Sequence, residues 1–337
     1  MKLIKSFVIV LLSCTLWGCQ QGDSIAAYKL QEGYAFGTEY NIQYFGDIPD
    51  LEHSIDSIIQ AVNQSMSNYQ KDSDISKLNA GDTTVTVDQM FREVFLLAKE
   101  IFHRTDGYFD PTVGNLVNAY GFGAQQTGVK LDSVHIDSLM QYVGFEDVHL
   151  QKDHIIRRDP HMYIDLNGIA KGYGVDRFGL FLEARGIENY LVDIGGEIRA
   201  RGTNLKSGRN WRLGIDDPRI GDGAKEIQGI VELKNRSLAT SGNYRKYRVD
   251  SLSGRRFVHI VDPKSGYMKK QSLLSASVLA QDCATADAYA TAFMAMDIEK
   301  SIALAKKLKG IDVFFIYDVQ GALKTYTSEG FEQSIVE

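Results

Sequence analysis

The chain has 337 residues, of which 44% are hydrophobic, 24% charged and 10% aromatic, with only 5 prolines. This composition is typical of globular proteins and excludes a disordered, collagen-like or coiled-coil chain as the main architecture. The 37 basic and 43 acidic residues give a net charge of -6, and the sequence has no Lys/Arg-rich run that could follow a phosphate backbone. We therefore expect a packed protein with no nucleic-acid partner.

The amino terminus has the pattern of a bacterial secretion signal. Lys2 and Lys5 precede an apolar stretch at residues 6–17, which is too short to remain as a membrane-spanning helix. Gly18 and Cys19 follow, and the ending Leu-x-Gly-Cys resembles a lipobox, in which cleavage before the cysteine leaves a thiol that is lipidated. An ordinary signal peptide with an incidental cysteine is the alternative.

This pattern predicts how the chain is processed. The expected parts are a signal peptide at residues 1–18, a lipidated tether at residues 19–30 and an exported domain at residues 31–337. The lipid on Cys19 would anchor the protein to a bacterial membrane, facing the periplasm or the exterior. Cys14 would leave with the signal, so that Cys283 would be the one cysteine of the domain. We expect Cys283 to be buried, with no intramolecular disulfide.

Hydrophobic periodicity predicts strands and helices in alternation. The even positions of residues 34–44 form a mostly aromatic face with the two-residue period of a strand. Helical stripes follow from Leu51 to Val62 and from Met90 to Ile101, the second ending before a Thr-Asp-Gly turn. Further predicted elements are strands at residues 162–166, 190–194 and 313–317 and helices at residues 167 to about 185 and 298–308. Another strand is predicted to carry His259 up to the turn at Asp262 and Pro263. The pattern favours an α+β fold, a single bilobal body with mixed sheets and packed helices.

Asp287 and Thr291 lie four residues apart in an Ala-rich segment that is predicted to be helical. Residues at this spacing share one helix face, so both side chains would present oxygen in the same direction. A carboxylate and a hydroxyl are hard ligands suited to Mg²⁺, which completes its octahedron with carbonyl, water and phosphate oxygens. The alternative is structural, with Thr291 bonded inside its own helix and Asp287 as a solvated charge.

Residues 163–176 place Asp165, Asn167 and Gly168 where a predicted strand turns into a helix. The backbone N–H groups of a helix start, with Lys171 one turn later, would attract a phosphate, while a carbonyl near Gly168 could face a cation. The alternative is an N-cap at Asn167 with an exposed lysine. Neither a P-loop nor a Rossmann fingerprint has this spacing.

Two other segments combine aromatic and polar residues. Tyr108, Phe109 and Asp110, together with Tyr69 farther upstream, have the flat rings and carboxylate that a flavin or purine pocket needs, but core aromatics under a loop fit equally. His259 lies at the end of a predicted strand before an Asp-Pro turn and could accept a proton or donate to a phosphate. A structural histidine is the alternative.

Taken together and in chain order, these segments resemble the ApbE family of FAD:protein FMN transferases, which are bacterial lipoproteins. The resemblance runs from about Phe36 to Met296, most of the exported domain. It implies an ApbE-like, T-fold-related α+β fold. It also implies transfer of the FMN half of FAD to a Thr or Ser hydroxyl of an exported target protein, with release of AMP and with Mg²⁺ as cofactor.

The resemblance implies roles for individual residues. Asp287, Thr291 and the Gly168 carbonyl would hold the metal, and His259 and Asp287 would be the catalytic residues. The residues at positions where the family contacts FAD are Phe36, Tyr69, Tyr108, Phe109, Asp110, Asp165, Lys171 and His259.

Three positions depart from the family pattern. Phe36 stands where Met is common, Asn167 where Ser is usual and Gly168 where Ala is common, although a backbone carbonyl ligand survives that last change.

The resemblance also implies acceptors, which are flavoprotein subunits of sodium- or proton-linked respiratory complexes and related exported proteins with a Thr/Ser flavinylation motif. Two other functions remain open: an FAD pyrophosphatase that gives FMN and AMP, and a non-catalytic FAD-binding lipoprotein. The intact pair Asp287 and Thr291 weighs against the second.

Overall fold

A computed structural model of the chain describes residues 26–125, 131–216, 227–242, 247–249, 256–258, 260–268 and 272–336. The helices of this part of the chain are α1 (Leu51–Met66), α2 (Asp74–Asn79), α3 (Gln89–Arg104), α4 (Gly114–Ala119), α5 (Ser133–Met140), α6 (Asn167–Ala184), α7 (Cys283–Ala295), α8 (Ile298–Ala305) and α9 (Glu329–Glu332). Its strands are β1 (Tyr28–Ala35), β2 (Thr38–Phe45), β3 (Val148–Gln151), β4 (His154–Arg157), β5 (Tyr190–Ile194), β6 (Glu197–Arg201), β7 (Trp211–Asp216), β8 (Ile227–Leu233), β9 (Arg236–Gly242), β10 (Tyr247–Val249), β11 (Arg256–Val258), β12 (Leu273–Ala280), β13 (Asp312–Val319), β14 (Ala322–Thr327) and β15 (Ile335–Val336).

Within the described residues, the strands form one large sheet and three small ones. The large sheet has eight strands in the order β1-β2-β5-β6-β9-β12-β13-β14, and its neighbours are antiparallel. A second sheet has the order β15-β8-β7, and β10 with β11 and β3 with β4 form separate pairs. The predicted α+β fold with more than one sheet is confirmed. The described strands run antiparallel because short hairpins join many consecutive strands.

The inner strands β12 and β13 of the large sheet are buried on both faces. In β13, Val313 and Phe315 pack in a core cluster with the side chains of α3 and α7, whereas Phe314 and Ile316 pack on the other face with Trp211 of the second sheet. A strand covered on both faces has a continuous apolar run rather than an alternating one. The large sheet therefore lies between a helical layer that contains α6 and α7 and the small β7-β8-β15 sheet.

The aromatic face predicted as one strand over residues 34–44 is a hairpin, so that prediction is wrong. β1 and β2 are joined by Phe36 and Gly37, which both have positive φ, 52° and 80°. Two such residues form the tight turn that matches the twist of antiparallel strands. After the turn, even-numbered residues of β2 lie on the opposite face of the hairpin from even-numbered residues of β1. Tyr34 is therefore 74% exposed and does not share the buried face of Tyr40.

Most of the predicted helices and strands are confirmed. The apolar stripes lie in α1 and α3, the helix predicted from residue 167 is α6, and the strand at residues 190–194 is β5. The helix predicted at residues 298–308 ends earlier, at Ala305. Residues 162–166 are not a strand, because side chains and a neighbouring loop bind their backbone groups. Among the described residues, no helix is both long and apolar enough to cross a bilayer.

Helix α7 lies at the centre of the core. Asp282 caps its start by accepting the Thr285 N–H at 2.8 Å, and its residues are buried except for Thr285 and Thr291, which are half-buried. A helix that is apolar on all sides is typical of a protein interior. Cys283, its first residue, is fully buried and forms no disulfide, as predicted.

Helix α6 packs against α7 at a point where only glycine fits. A Cβ atom on Gly172 would lie 2.4 Å from the carbonyl oxygen of Cys283 and 2.8 Å from the Cβ of Asp287. Neither atom is the free end of a flexible side chain, so the clash could be relieved only by moving one helix from the other. The absence of a side chain at Gly172 therefore sets how closely the two helices approach.

We predict that Gly172→Ala destabilises the fold by about 1–3 kcal/mol, because an overpacked core must shift its backbone. The measurement is the free energy of unfolding in urea. Gly229→Ala is the matched control, since a Cβ at Gly229 meets no atom within 4 Å. Equal stabilities of the two variants would contradict the packing argument.

Candidate functional site

Asp287 joins α7 to α6 through a buried hydrogen bond. Its Oδ2 accepts the backbone N–H of Gly172 at 2.9 Å, and only 4% of the residue is exposed. Burial raises the pKa of Asp287, while the Lys171 ammonium and the Gly172 N–H act in the opposite direction. The alternative of a solvated surface charge is therefore wrong for Asp287.

Thr291 of α7 and Gly168 of α6 meet one helical turn away from the contact between Asp287 and Gly172. The Thr291 hydroxyl lies 3.5 Å from the Gly168 carbonyl oxygen, although 123 residues separate them in sequence. A Cβ on Gly168 would lie 3.1 Å from Thr291 Cγ2 and 3.4 Å from Phe109 Cε2, so little space surrounds this backbone. The structure thus brings together a carboxylate, a hydroxyl and a carbonyl that the sequence places on two distant segments.

Lys171 lies beside this group and is paired with a buried carboxylate. Its Nζ lies 2.5 Å from Glu197 Oε2, and the Glu197 side chain is only 5% exposed. Burial opposes the charged form of Lys171, but the carboxylates of Glu197 and Asp287 outweigh it and raise the pKa of Lys171. Lys171 is therefore held as an ammonium next to Asp287 rather than fully exposed in solvent.

The charges and donor types of this cluster fit a hard cation. The two carboxyl groups of Asp287 and Glu197 outnumber the one ammonium of Lys171, and this acidic excess favours a cation. In the described part of the chain, no three His, Cys, Asp or Glu side chains form a metal-binding cluster. A cation here would depend on carbonyl, hydroxyl and substrate oxygens in addition to Asp287, which is the usual arrangement for Mg²⁺.

The loop before α6 is held by a side chain rather than by a strand partner. Asn79 donates its amide to the Ile164 carbonyl at 2.8 Å and accepts the Ile164 N–H at 2.8 Å. Asp165 donates its N–H to the Pro111 carbonyl at 2.7 Å, and its Oδ1 accepts the Asn167 N–H at 2.8 Å. Leu166 is the N-cap residue of α6 and has no side-chain cap, so the predicted N-cap at Asn167 is wrong. The Asn167 N–H, one of the groups predicted to face a phosphate, is already bonded to Asp165.

Tyr69 lies on the loop that follows α1, with 65% of its surface exposed. The neighbouring Asn68 donates its amide to the Ile164 carbonyl at 3.4 Å, which ties this loop to the one that carries Asp165. Partial desolvation and the charge of Asp165 both raise the pKa of Tyr69. Tyr69 and Asp165 are therefore close enough for their charges to interact.

Two other predicted aromatic residues, Phe36 and Tyr108, pack against α6 and α8. A Cβ on Gly174 of α6 would lie 2.3 Å from Phe36 Cε2, so the ring of Phe36 packs directly on this helix. Tyr108 is buried, accepts a hydrogen bond from Lys300 Nζ at 2.6 Å, and has Lys264 Nζ 5.7 Å from its ring centre. Tyr108 is thus close to two ammonium groups, Lys300 at its hydroxyl and Lys264 over its ring.

Asp110 is bound within the protein. Its Oδ1 accepts from the Thr112 N–H and hydroxyl at 2.8 and 2.5 Å, and its Oδ2 accepts the Phe145 N–H at 3.3 Å. Burial raises the pKa of Asp110, although these hydrogen bonds act to lower it.

His259 and Cys19 lie outside the described residues, so their predicted roles stay predictions.

Sequence reasoning missed four polar residues that support the site. Glu197 and Arg199 are charged residues at alternate positions of β6, and this spacing is a signal that one face of a buried strand meets ionic partners. Asp176 lies one turn after Gly172 on α6 and bonds to the start of α7. Asn79 had no distinguishing signal, because an isolated Asn at a helix end is common.

Comparison with known proteins gives a consistent result. A family model described as the ApbE family matches residues 36–315, which is more than half of the chain. The FAD:protein FMN transferase of Haemophilus influenzae is 32% identical to the chain over 346 residues, which cover 98% of this chain and 98% of that protein.

Solved structures match the fold as well. The flavin transferase ApbE from Vibrio cholerae has a TM-score of 0.81 and 34% identity, covering 92% of this chain and 99% of that one. The apo form of the flavinyl transferase ApbE from Pseudomonas stutzeri has a TM-score of 0.81 and 30% identity, covering 92% and 97%.

Proposed function

The chain belongs to the ApbE family, and we propose that it transfers the FMN half of FAD to a Thr or Ser hydroxyl of an exported acceptor protein, with release of AMP and with Mg²⁺ as cofactor. Its relatives carry the name FAD:protein FMN transferase. The observation that carries the proposal is the convergence of the Asp287 carboxylate, the Thr291 hydroxyl and the Gly168 carbonyl beside Lys171.

In this proposal, Asp287, Thr291 and Gly168 would hold Mg²⁺, whose charge would neutralise the pyrophosphate oxygens of FAD. Asp287 Oδ2 is bonded to Gly172, so we assign Oδ1 to the cation. Lys171, kept charged by Glu197, adds a second positive charge next to the same point. Together these positive charges would stabilise the negative charge that increases on the phosphate oxygens as the pyrophosphate bond breaks.

The reaction exchanges one phosphorus–oxygen bond for another. The acceptor hydroxyl oxygen forms a bond to the FMN phosphorus, and the bond from that phosphorus to the bridging oxygen breaks, so AMP leaves with the bridging oxygen. The hydroxyl proton passes to a base, for which we propose His259. Phe36, Phe109, Tyr69 and Tyr108 are the rings we assign to flavin and adenine contacts, with Asp110 and Asp165 beside them.

We also propose that the protein is exported and held at a bacterial membrane by a lipid on Cys19. The proposal rests on the lipobox-like sequence that ends at Cys19 and on the short distance in sequence from there to β1, which starts at Tyr28. A tether of this length would keep the folded domain near the membrane, where membrane-bound flavoprotein subunits are accessible acceptors.

The activity is tested by incubating the full-length chain, in detergent, with FAD, MgCl₂ and a Thr-containing acceptor domain from a respiratory flavoprotein subunit. We expect the intact acceptor mass to increase by one FMN residue while AMP is released. An acceptor with its Thr changed to Val is the control. AMP and free FMN with an unmodified acceptor would indicate a pyrophosphatase, and uncleaved FAD would indicate a binding protein.

We expect Asp287→Ala to lower Mg²⁺-dependent turnover by at least about 100-fold, because it removes a charged group from the reacting centre. FAD binding, measured by quenching of flavin fluorescence, should stay largely intact. Glu299→Ala, which removes an exposed carboxylate on α8, is the control. Normal turnover in Asp287→Ala would refute the metal assignment.

The anchor is tested by expressing the chain in a bacterial host and measuring acyl modification by peptide mass spectrometry, with fractionation of the membranes. Cys19→Ala should lose the acyl group and leave the membrane fraction. Cys14→Ala should keep both, because Cys14 would be removed with the signal peptide. An acyl group that persists in Cys19→Ala would exclude the proposed site.

A further inference from the structure

Asp176 is a buried carboxylate that connects α6 to the start of α7. Only 5% of the residue is exposed. Its Oδ1 accepts the N–H of Cys283 at 2.9 Å and its Oδ2 accepts the N–H of Ala284 at 2.8 Å. These are two of the N–H groups that a helix leaves without an intrahelical partner at its start. Asp176 therefore caps α7 from a different helix.

This contact is not needed to start α7, because a local cap is already present. Asp282 directly precedes the helix and accepts the Thr285 N–H at 2.8 Å, which is the usual N-cap arrangement. Asp282 and Asp176 thus bind different N–H groups of the same helix end. The difference is that the bonds of Asp176 fix α7 relative to α6, whereas the bond of Asp282 is internal to one segment.

The contacts between α6 and α7 form a regular series. The first contact is between Asp176 and Cys283. One turn nearer the start of α6, Gly172 bonds to Asp287. Another turn nearer the start, Gly168 meets Thr291. Each step moves four residues along α6 and four residues in the opposite direction along α7. Such a series defines a single register of two antiparallel helices, and a shift at one contact would shift the others.

Asp176 is itself held in place from the sheet. Arg199 of β6 donates to Asp176 Oδ1 at 2.7 Å, and the same guanidinium bonds to Glu183 at 3.1 Å and to the Tyr190 hydroxyl at 2.9 Å. Because several partners restrain Arg199, the Asp176 carboxylate has little freedom to follow α7 if that helix moves.

We propose that Asp176 is a positioning residue for the cation site, acting through the register of α7 on α6. It would hold Asp287 and Thr291 opposite the Gly168 carbonyl, so the three oxygens keep the spacing that Mg²⁺ requires. This inference rests on the proposed Mg²⁺ site. Residues that orient metal ligands typically contribute about 10–100-fold to metal affinity or activity.

The test uses the full-length chain in detergent and MgCl₂ as the probe. Two quantities are measured for the wild type, Asp176→Ala, Asp176→Asn, Asp282→Ala and Asp287→Ala. The first is the MgCl₂ concentration that gives half of the maximal rise in melting temperature, in the absence of FAD and acceptor. The second is the MgCl₂ concentration that gives half-maximal transfer. Asp282→Ala is the matched control, since it removes a cap bond at the same helix end that is made within α7 and not to α6.

We expect Asp176→Ala to raise both half-saturating MgCl₂ concentrations by about tenfold or more, with partial recovery of the rate at saturating MgCl₂. Asp176→Asn keeps one acceptor oxygen and should be intermediate, which provides a readout if the alanine variant folds poorly. Asp282→Ala should lower the melting temperature but leave the half-saturating concentration within about twofold of the wild type, because a cap alone contributes only to stability.

The outcomes separate this inference from the function on which it rests. If the wild type shows no saturable MgCl₂ effect, the proposed cation site is wrong and the inference fails with it. The cation site is supported if the wild type and Asp282→Ala respond to MgCl₂ and Asp287→Ala does not. If both Asp176 variants then respond like the wild type, only the inference about Asp176 is overturned. An equal loss of MgCl₂ affinity in Asp282→Ala would also overturn it, because the effect would then belong to capping in general.

Discussion

The close approach of α6 and α7 is the constraint on which the rest of the site depends. It exists because Gly172 has no side chain, so the backbone of α6 lies against the Cys283 carbonyl and the Cβ of Asp287. At this distance the Gly172 N–H reaches the Asp287 carboxylate. A buried carboxylate without a partner would be strongly unfavourable, so packing and polar bonding here support one another.

Buried charges around α6 have a geometric role more than a stabilising one. Glu197 pairs with Lys171, and Arg199 pairs with Asp176, so alternate residues of β6 meet successive turns of α6. Buried ion pairs add little net stability because desolvation offsets their attraction. Their partners are nevertheless specific, and a displaced helix would leave charges unpaired. The ionic contacts therefore select one arrangement of sheet and helix, and with it the position of Asp287.

Local periodicity predicted much of the fold and part of the site. The apolar stripes of α1 and α3 and the pairing of Asp287 with Thr291 on one helix face follow from a period of 3.6 residues, which every helix obeys. The same reasoning was wrong for residues 34–44, because a two-residue turn interrupts a strand without interrupting a run of aromatic residues. It was also wrong for residues 162–166, where the side chain of Asn79 replaces a neighbouring strand.

The sequence by itself determined which residues share a helix face, that Cys283 is the one cysteine after Cys19 and, through ordered motifs, the family. Only the tertiary structure decided that Gly172 faces Asp287 across 115 residues of chain, that Glu197 holds Lys171, and that a carboxylate of α6 caps α7. The physical reason is the range of the interactions. Side-chain periodicity is a property of neighbouring residues, whereas the register of two packed helices depends on every contact between them and on the sheet beneath.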